Sequence, residues 1–276
     1  MKVAFQGERG AYSESAVYQF FGIETQVKPC RDFKDVFESV CTQKTQFGVV
    51  PVENSLTGSI HENYDLLLEY DLKIVGELTL RIKQNLLGCP DADIRGLERI
   101  YSHPQAFEQC REYLEKNPGW DLVACRDTAT AVLRVKESLD PKEGAIAGEE
   151  FDDQICGMGV LKEGIETNPR NFTRFVVISR NESLPGPRNK SSLIYSVSDR
   201  PGALFETLGI FARNDINIVK LESRPIHSRP WEYMFYVDLE TDVTDEGRSH
   251  ILAELTGKTE FFKFLGSYGK GAQGTH

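Results

Sequence analysis

Hydroxyl and amide side chains recur in this sequence where apolar, strand-like runs begin or end. In the stretch "NPRNFTRFVVIS", Thr173 and Arg174 lie between two phenylalanines at the mouth of a predicted buried strand. A β-branched residue suits a strand end and an arginine can face solvent there, so this stretch alone favours a structural explanation. In a cleft, a hydroxyl and a guanidinium would instead donate hydrogen bonds to an anionic ligand.

Two segments early in the chain, each directly after a predicted strand, carry polar groups of the same kind. The segment "QGERGAYSES" leaves the first strand through two glycines, which let backbone N–H groups approach an anion at a helix start. The segment "PVENSLTGSIHE" places Asn54 and Ser55 before a helix, for which Ser59 and Glu62 form a predicted capping box. The box explains Ser59 and Glu62 but not Glu53, Asn54 and Ser55, which are therefore the candidates for a ligand site.

Two later segments also run from a predicted strand into a predicted helix. In "YSHPQAFEQC", no Ser/Asp pair or metal-ligand pattern lies near His103. A structural role for this histidine is therefore as well supported as a catalytic one. In "CRDTATAV", Asp127 or Thr128 is the predicted N-cap of the following helix, and a capping role is the safer interpretation of Asp127. Both segments therefore predict helix starts that gather at the carboxyl ends of strands, where ligands of α/β proteins bind.

Several familiar chemistries lack their motifs here. The loop after the first predicted strand is neither a GxGxxG nor a GK[ST] motif, and the sequence contains no HExxH, no CxxC and no GxSxG, which argues against nucleotide binding there and against metal hydrolysis and serine hydrolysis. Six widely scattered cysteines favour reduced thiols over a disulfide framework or a zinc site. What remains is a predicted cleft of hydroxyls, amides, backbone N–H groups and an arginine that binds carboxylates without a metal or cofactor.

The composition of the chain limits where the protein is expected to be located and what it is expected to bind. The net charge of 32 − 42 = −10, without a basic block, argues against binding to nucleic acid. The sequence has neither a secretory signal nor an apolar run of about eighteen residues, so we expect a cytoplasmic protein without a membrane segment. At 276 residues, the chain is long enough for about two domains.

The pattern of elements changes near residue 180. The first 180 residues alternate strand-like runs with helices, which predicts an α/β domain with mostly parallel sheets. The proline- and glycine-containing segment "RNESLPGPRNKSS" is the predicted linker. After it, the order βαββαβ is typical of a ferredoxin-like domain.

The motifs together resemble those of one enzyme family. The segments "GERGAYSE", "PVENSLTGSI", "SHPQAFEQC", "DTATA", "GAIAG" and "NFTRF" are similar, in order and spacing, to those of prephenate dehydratases. The resemblance implies a catalytic domain over residues 1–180, with two α/β subdomains like those of type 2 periplasmic binding proteins. The tail, residues 190–276, resembles the ferredoxin-like ACT regulatory domain, with "GALF" and "ESRP" where the family binds L-phenylalanine.

This resemblance implies an activity and a set of site residues. The reaction would be the cofactor-free, decarboxylating dehydration of prephenate to phenylpyruvate in phenylalanine biosynthesis, with feedback regulation by L-phenylalanine. The implied catalytic residues are Thr173, Asn54, Ser102 and Gln109, with Thr173 as a positioned hydrogen-bond donor. The implied substrate-binding residues are Ser55, Thr128, Arg174 and Phe175, of which Arg174 would pair with a carboxylate unless it only holds the loop. The implied effector site comprises Gly202, Ala203, Leu204, Glu222, Ser223, Arg224 and Pro225.

Two alternatives stay open. The first motif has Glu8, Arg9 and Ala11 where many relatives have Gly-Pro and Gly-Thr, and "GAYSE" with "ENSLTGSIHENYDLL" also resembles arogenate dehydratases. A non-catalytic amino-acid sensor with an ACT domain is the alternative of another class. The joint presence of Thr173 and its polar companions favours the enzyme, because a sensor has no need of them. Pairing of ACT sheets would give a homodimer or homotetramer.

Overall fold

The computed structural model describes residues 1–148, 157–180, 184–226 and 229–271, which form three sheets with flanking helices. In chain order, the strands are β1 (Lys2–Gln6), β2 (Gln26–Cys30), β3 (Phe47–Asn54), β4 (Gly58–Ser59), β5 (Lys73–Arg81), β6 (Asn85–Gly88), β7 (Arg99–Ser102), β8 (Asp121–Ala124), β9 (Glu143–Ala147), β10 (Gly159–Lys162), β11 (Phe172–Ser179), β12 (Lys190–Ser196), β13 (Ile218–Ile226), β14 (Arg229–Leu239) and β15 (Phe261–Tyr268). The helices are α1 (Tyr12–Phe21), α2 (Phe33–Cys41), α3 (His61–Glu69), α4 (Pro104–Gln109), α5 (Arg111–Glu115), α6 (Thr128–Ser138), α7 (Ala203–Arg213) and α8 (Ser249–Thr256).

The first lobe is built on a mixed sheet in the order β2-β1-β3-β11-β5, with β4 paired to β3. Strands β1, β2 and β3 are parallel, whereas β11 runs antiparallel to both of its neighbours. The prediction of mostly parallel pairing therefore holds for only part of this sheet, because β11 enters it from the opposite direction after the chain has built the second lobe.

The second lobe carries the sheet β10-β6-β9-β7-β8, in which β7 is parallel to β8 and β9 while β6 and β10 are antiparallel. The chain passes between the lobes twice, through residues 82–84 and again before β11. The Ile82 backbone N–H donates to the Asn171 carbonyl at 2.8 Å and so joins the two crossings. The expectation of two α/β subdomains with a cleft between them is confirmed.

The C-terminal domain has the predicted order βαββαβ and an antiparallel sheet β13-β14-β12-β15. Its own core lies between one sheet face and the helices α7 and α8, and includes Phe211 and Val237. Its other face packs on the first lobe, where Tyr236 meets Tyr64 of α3 at a ring-centroid distance of 5.0 Å. Alternation along β14 thus sends Val237 to the helices and Tyr236 to the lobe.

One predicted cap is correct and another is wrong. Asp127 accepts a hydrogen bond from the Thr130 backbone N–H at 2.7 Å and caps α6 as predicted. The capping box of Ser59 and Glu62 does not form, because α3 begins after Ile60, which makes no side-chain cap bond. Ser59 Oγ instead donates to Glu222 of the C-terminal domain.

Two further sequence expectations concern thiols and membrane segments. Five cysteines are free thiols, and Cys156 lies outside the described residues. Among the helices that the structure describes, none combines the length and the apolar character needed to cross a bilayer.

Candidate active site

A cleft of about 470 Å³ opens between the two lobes. Its walls come from the end of β3, the start of β11, the crossing at residues 82–84 and the N-terminal turns of α1, α4 and α6. The structure brings Asn54, Gln109, Thr128, Thr173 and Phe175 of the predicted set to this cleft. These residues come from segments as far apart in sequence as β3 and β11, and the cleft is the place where the two lobes can share a ligand.

Thr173 is the second residue of β11, and only 8% of it is exposed. Asn54, at the end of β3, is its register partner and donates from Nδ2 to Thr173 Oγ1 at 3.0 Å. A threonine hydroxyl has one hydrogen to donate. Because Asn54 supplies the hydrogen in this bond, the hydrogen of Thr173 remains available for an acceptor in the cleft.

Asn54 is held in place from both ends of its amide. Nδ2 also donates to Asn171 Oδ1 at 2.7 Å, and Oδ1 accepts from the backbone N–H groups of Leu56 at 3.0 Å and Thr57 at 3.1 Å. These bonds leave the side chain little freedom to rotate, so it acts as a rigid support for the Thr173 hydroxyl.

The opposite wall carries a pair of glutamines. Gln84 Nε2 donates to Gln109 Oε1 at 2.9 Å. Gln84 is 2% exposed, and its Oε1 has no hydrogen-bond partner among the residues that the structure describes. An unpaired buried acceptor in a cleft wall is suited to a ligand donor. Gln84 was missed from the sequence because it lies in the crossing between lobes, where no motif marks it.

Two predicted serines do not reach the cleft. Ser102 is fully buried and donates to the Ile146 carbonyl at 2.7 Å, which ties β7 to β9. Ser55 Oγ donates to the Arg170 carbonyl at 2.9 Å and accepts from the Phe172 backbone N–H at 2.9 Å. We therefore correct both assignments: Ser102 holds a strand, and Ser55 fixes the loop that leads into β11.

The prediction that Arg174 pairs with a substrate carboxylate is also corrected. Successive side chains of a strand point to opposite faces, so Arg174 leaves the sheet on the side away from Thr173. Its guanidinium pairs with Glu77 at 2.8 Å and with Asp238 at 2.6 Å. Burial alone would lower the pKa of Arg174, but Asp238, Tyr268 and Glu77 raise it well above its ordinary value.

Arg126 brings a positive charge to the cleft instead. This residue precedes α6, lines the cleft and pairs with Asp127 at 2.9 Å. It also contacts Glu8 of the first lobe at 3.3 Å, so this ion pair joins the two lobes. Burial would raise the pKa of Asp127, but hydrogen bonds from Thr130 and Arg126 lower it. Arg126 was not singled out from the sequence, although its position directly before the motif "DTATA" could have identified it.

The predicted effector residues fall on two elements of the C-terminal domain. Gly202 precedes α7 with a φ of 84°, a left-handed conformation that favours glycine, and Ala203 and Leu204 form the first turn. On β13, Glu222 and Arg224 point to the first lobe, where Arg224 pairs with Asp65. Ser223 and Pro225, on the alternate face, are exposed.

Comparison with known proteins identifies the family. Residues 3–183 match the sequence profile of prephenate dehydratase, which is more than half of the chain. The chain belongs to the prephenate dehydratase family. Residues 191–256 match the ACT domain, so the C-terminal βαββαβ unit is the ACT domain that accompanies the catalytic part.

Individual family members cover nearly the whole chain. The bifunctional chorismate mutase/prephenate dehydratase of Aquifex aeolicus is 39% identical over 98% of this chain and 74% of its own length. The arogenate dehydratase/prephenate dehydratase 2 of Arabidopsis thaliana is 38% identical over 97% of this chain and 72% of its own. A prephenate dehydratase from Arthrobacter aurescens, solved in complex with L-Phe, superposes with a TM-score of 0.88 at 30% identity, covering 98% of this chain and 90% of that one.

Proposed function

We propose that this protein is a cytoplasmic prephenate dehydratase of phenylalanine biosynthesis, with Thr173 as its central catalytic residue. The observation that carries the proposal is the hydrogen bond from Asn54 to Thr173 Oγ1, which leaves the threonine hydrogen free for a cleft ligand. Membership of the family and the shared polar set at the cleft support it further.

In the proposed reaction, prephenate loses carbon dioxide and water. The electron pair of the bond between ring and departing carboxylate moves into the ring, which becomes aromatic as the bond to the ring hydroxyl breaks. That hydroxyl takes up one proton, which comes from the solvent because Thr173 donates only a hydrogen bond, and leaves as water. Thr173 stabilises the departing oxygen by donating a hydrogen bond, a contribution of the kind that positioned donors make to developing negative charge.

The other cleft residues bind and orient the substrate. Arg126 pairs with one substrate carboxylate in exchange for its bond to Glu8, and Thr128 contributes from the first turn of α6, where a helix favours negative charge. Prephenate has one hydrogen-bond donor, its ring hydroxyl, and Gln84 Oε1 is a buried acceptor for it. Phe175 provides an apolar surface beside the ring.

L-Phenylalanine is the proposed effector, acting at the ACT domain through the turn at Gly202–Leu204 and the strand segment Glu222–Pro225. The Arthrobacter relative was solved with L-Phe, which supports this assignment. A homodimer or homotetramer would form through ACT sheets, for which the edge strand β13 offers the half-exposed Val219 and Leu221. Light scattering of the purified protein measures the assembly.

The decisive experiment is a steady-state assay of the purified chain with prephenate and with arogenate, each with and without L-phenylalanine. Turnover of prephenate that phenylalanine suppresses is the expected result. A preference for arogenate would reassign the substrate and keep the site. Absence of turnover with either substrate, while phenylalanine still binds, would overturn the enzyme and favour an amino-acid sensor.

A further inference from the structure

Four charged side chains meet where the ACT domain packs on the first lobe. Arg174 pairs with Asp238 at 2.6 Å and Glu77 at 2.8 Å, and Lys190 pairs with Glu77 at 2.8 Å. Each of the four side chains is at most 15% exposed. These four carry two positive and two negative charges, and Arg174 also lies 3.8 Å from the more exposed Glu53 of the first lobe. We call these four residues the interdomain cluster.

The interdomain cluster joins the two domains strand to strand. Arg174 and Glu77 belong to β11 and β5 of the first lobe, and Asp238 and Lys190 belong to β14 and β12 of the ACT domain. Ser192 donates to Asp238, and the Arg174 guanidinium also contacts the Tyr268 hydroxyl at 3.3 Å. The arginine is therefore held from both domains, by Glu77 of the first lobe and by Asp238 and Tyr268 of the ACT domain.

Arg174 is also the residue next to Thr173. The pairing of β11 with β3 changes register between Arg174 and Phe175, so the ladder is irregular where the threonine must be placed. An anchor on the far face of the strand at Arg174 then constrains the backbone that carries Thr173.

We propose that Arg174 is a positioning residue for Thr173, anchored from the ACT domain through Asp238, and that this anchor carries the effector's influence to the cleft. The inference rests on the proposed function, since it assigns a route to the regulation proposed above. It also gives the arginine beside the catalytic threonine a task that does not involve the substrate.

The route from the effector segment to the anchor is short. Lys220 of β13 is the register partner of Asp238, two residues before Glu222. A displacement of β13 therefore moves β14 through their shared ladder. Separating Asp238 from Arg174 would leave this buried carboxylate with only the longer ion-pair contact to Lys190 at 3.8 Å, which is unfavourable. The start of β11, and Thr173 with it, is thus expected to follow the ACT sheet.

The test uses the double variant Arg174→Gln/Asp238→Asn, which removes one charge of each sign and keeps the bond between Lys190 and Glu77. The control is Lys263→Met, because Lys263 also joins the domains, through the carbonyls of Leu68 at 2.9 Å and Tyr70 at 2.7 Å, without touching β11. For each protein, kcat and KM for prephenate are measured with and without L-phenylalanine, and calorimetry measures phenylalanine binding.

We expect the double variant to bind phenylalanine like the wild type and to have a lower kcat with little change in KM. The factor by which phenylalanine suppresses turnover should shrink at least about fivefold, the lower end of typical allosteric couplings. The control should keep kcat and the response. If the double variant does not fold, Arg174→Lys keeps the charge but not the planar contact, and the same losses are expected to a smaller extent.

Two results would overturn the inference. A folded double variant, or failing that a folded Arg174→Lys, with wild-type kcat and a wild-type phenylalanine response would remove Arg174 from positioning and coupling while the proposed function stands. A wild-type chain that does not turn over prephenate would overturn the proposed function itself, and the inference with it.

Discussion

Asn54 Nδ2 lies 3.0 Å from Thr173 Oγ1 and donates to it, so the direction of this hydrogen bond is fixed by chemistry: the amide nitrogen cannot accept. The threonine must then direct its own hydrogen elsewhere, and both residues line the cleft. A weak acid thereby becomes an oriented donor. This relationship therefore favours a role for Thr173 as a positioned hydrogen-bond donor to a ligand in the cleft.

Thr173→Val keeps the shape of the side chain and removes the hydroxyl. We expect kcat for prephenate to fall by about 10²- to 10⁴-fold, the usual range for a positioned acid or donor, with phenylalanine binding unchanged. Thr173→Ser should retain part of the activity, because it keeps the hydroxyl but loses the restriction on χ1. Steady-state kinetics of both variants make the comparison. Unchanged turnover in Thr173→Val would exclude the hydroxyl from the mechanism.

Asn54→Asp keeps the acceptor for the backbone of Leu56 and Thr57 but replaces the donor to Thr173 with a second acceptor. The threonine hydrogen would then point at the carboxylate, so we expect kcat to fall by about 10²-fold at neutral pH. Asn117→Asp is the matched control, since Asn117 bonds the Tyr113 carbonyl away from the cleft. A variant at Asn54 that turned over like the control would contradict this account of orientation.

Arg126→Gln should raise the KM for prephenate by about 10- to 100-fold, as expected for loss of a charge-assisted hydrogen bond. Glu8→Gln should lower KM, because Glu8 competes with the substrate carboxylate for the same guanidinium. Arg111→Gln is the control, an exposed arginine that pairs with Glu108 and Glu115 on the surface. Kinetics at low ionic strength show the difference best. Equal KM values for Arg126→Gln and Arg111→Gln would refute the carboxylate contact.

Acid should weaken the interdomain cluster. Burial would raise the pKa of Asp238, but Arg174 and Lys190 lower it below its ordinary 3.8. A carboxyl with a lowered folded pKa stabilises the protein fully above its unfolded pKa, and this stabilisation is lost as pH falls through the folded pKa. Asp238→Asn should therefore cost about 3 to 5 kcal/mol of unfolding free energy at pH 7.

The stability difference between wild type and Asp238→Asn should narrow as the pH drops below about 4. Denaturant titrations at pH 7 and near pH 3 measure it, and Asp91→Asn, an exposed aspartate, provides the control. A difference that stayed constant across this pH range would show that Asp238 does not act through its charge.

Local patterns predicted much of the fold. The strand at "NFTRF", the Asp127 cap and the βαββαβ order of the tail all follow from short-range preferences, and the structure has them. Thr173 and Phe175 share the cleft face because side chains in a strand alternate with a period of two. The same alternation already placed Arg174 on the other face.

The sequence did not reveal which residues Arg174 contacts on that other face. The interdomain cluster pairs residues that are distant in the chain, such as Glu77 and Lys190, and no local pattern marks such contacts. Ser59 was misassigned for the same reason, since its partner Glu222 belongs to the other domain. Gln84 is identified only by the cleft that surrounds it.

The position of β11 at the centre of the first sheet sets the order in which the protein can be completed. Strands β3 and β5 flank β11, which is synthesised about a hundred residues after them. Until that segment leaves the ribosome, both flanking strands present unpaired edges, which favour aggregation. Completion of this sheet therefore depends on long-range pairing and is expected to be slow. A nascent chain that stops before residue 172 lacks β11, the strand that joins β3 to β5.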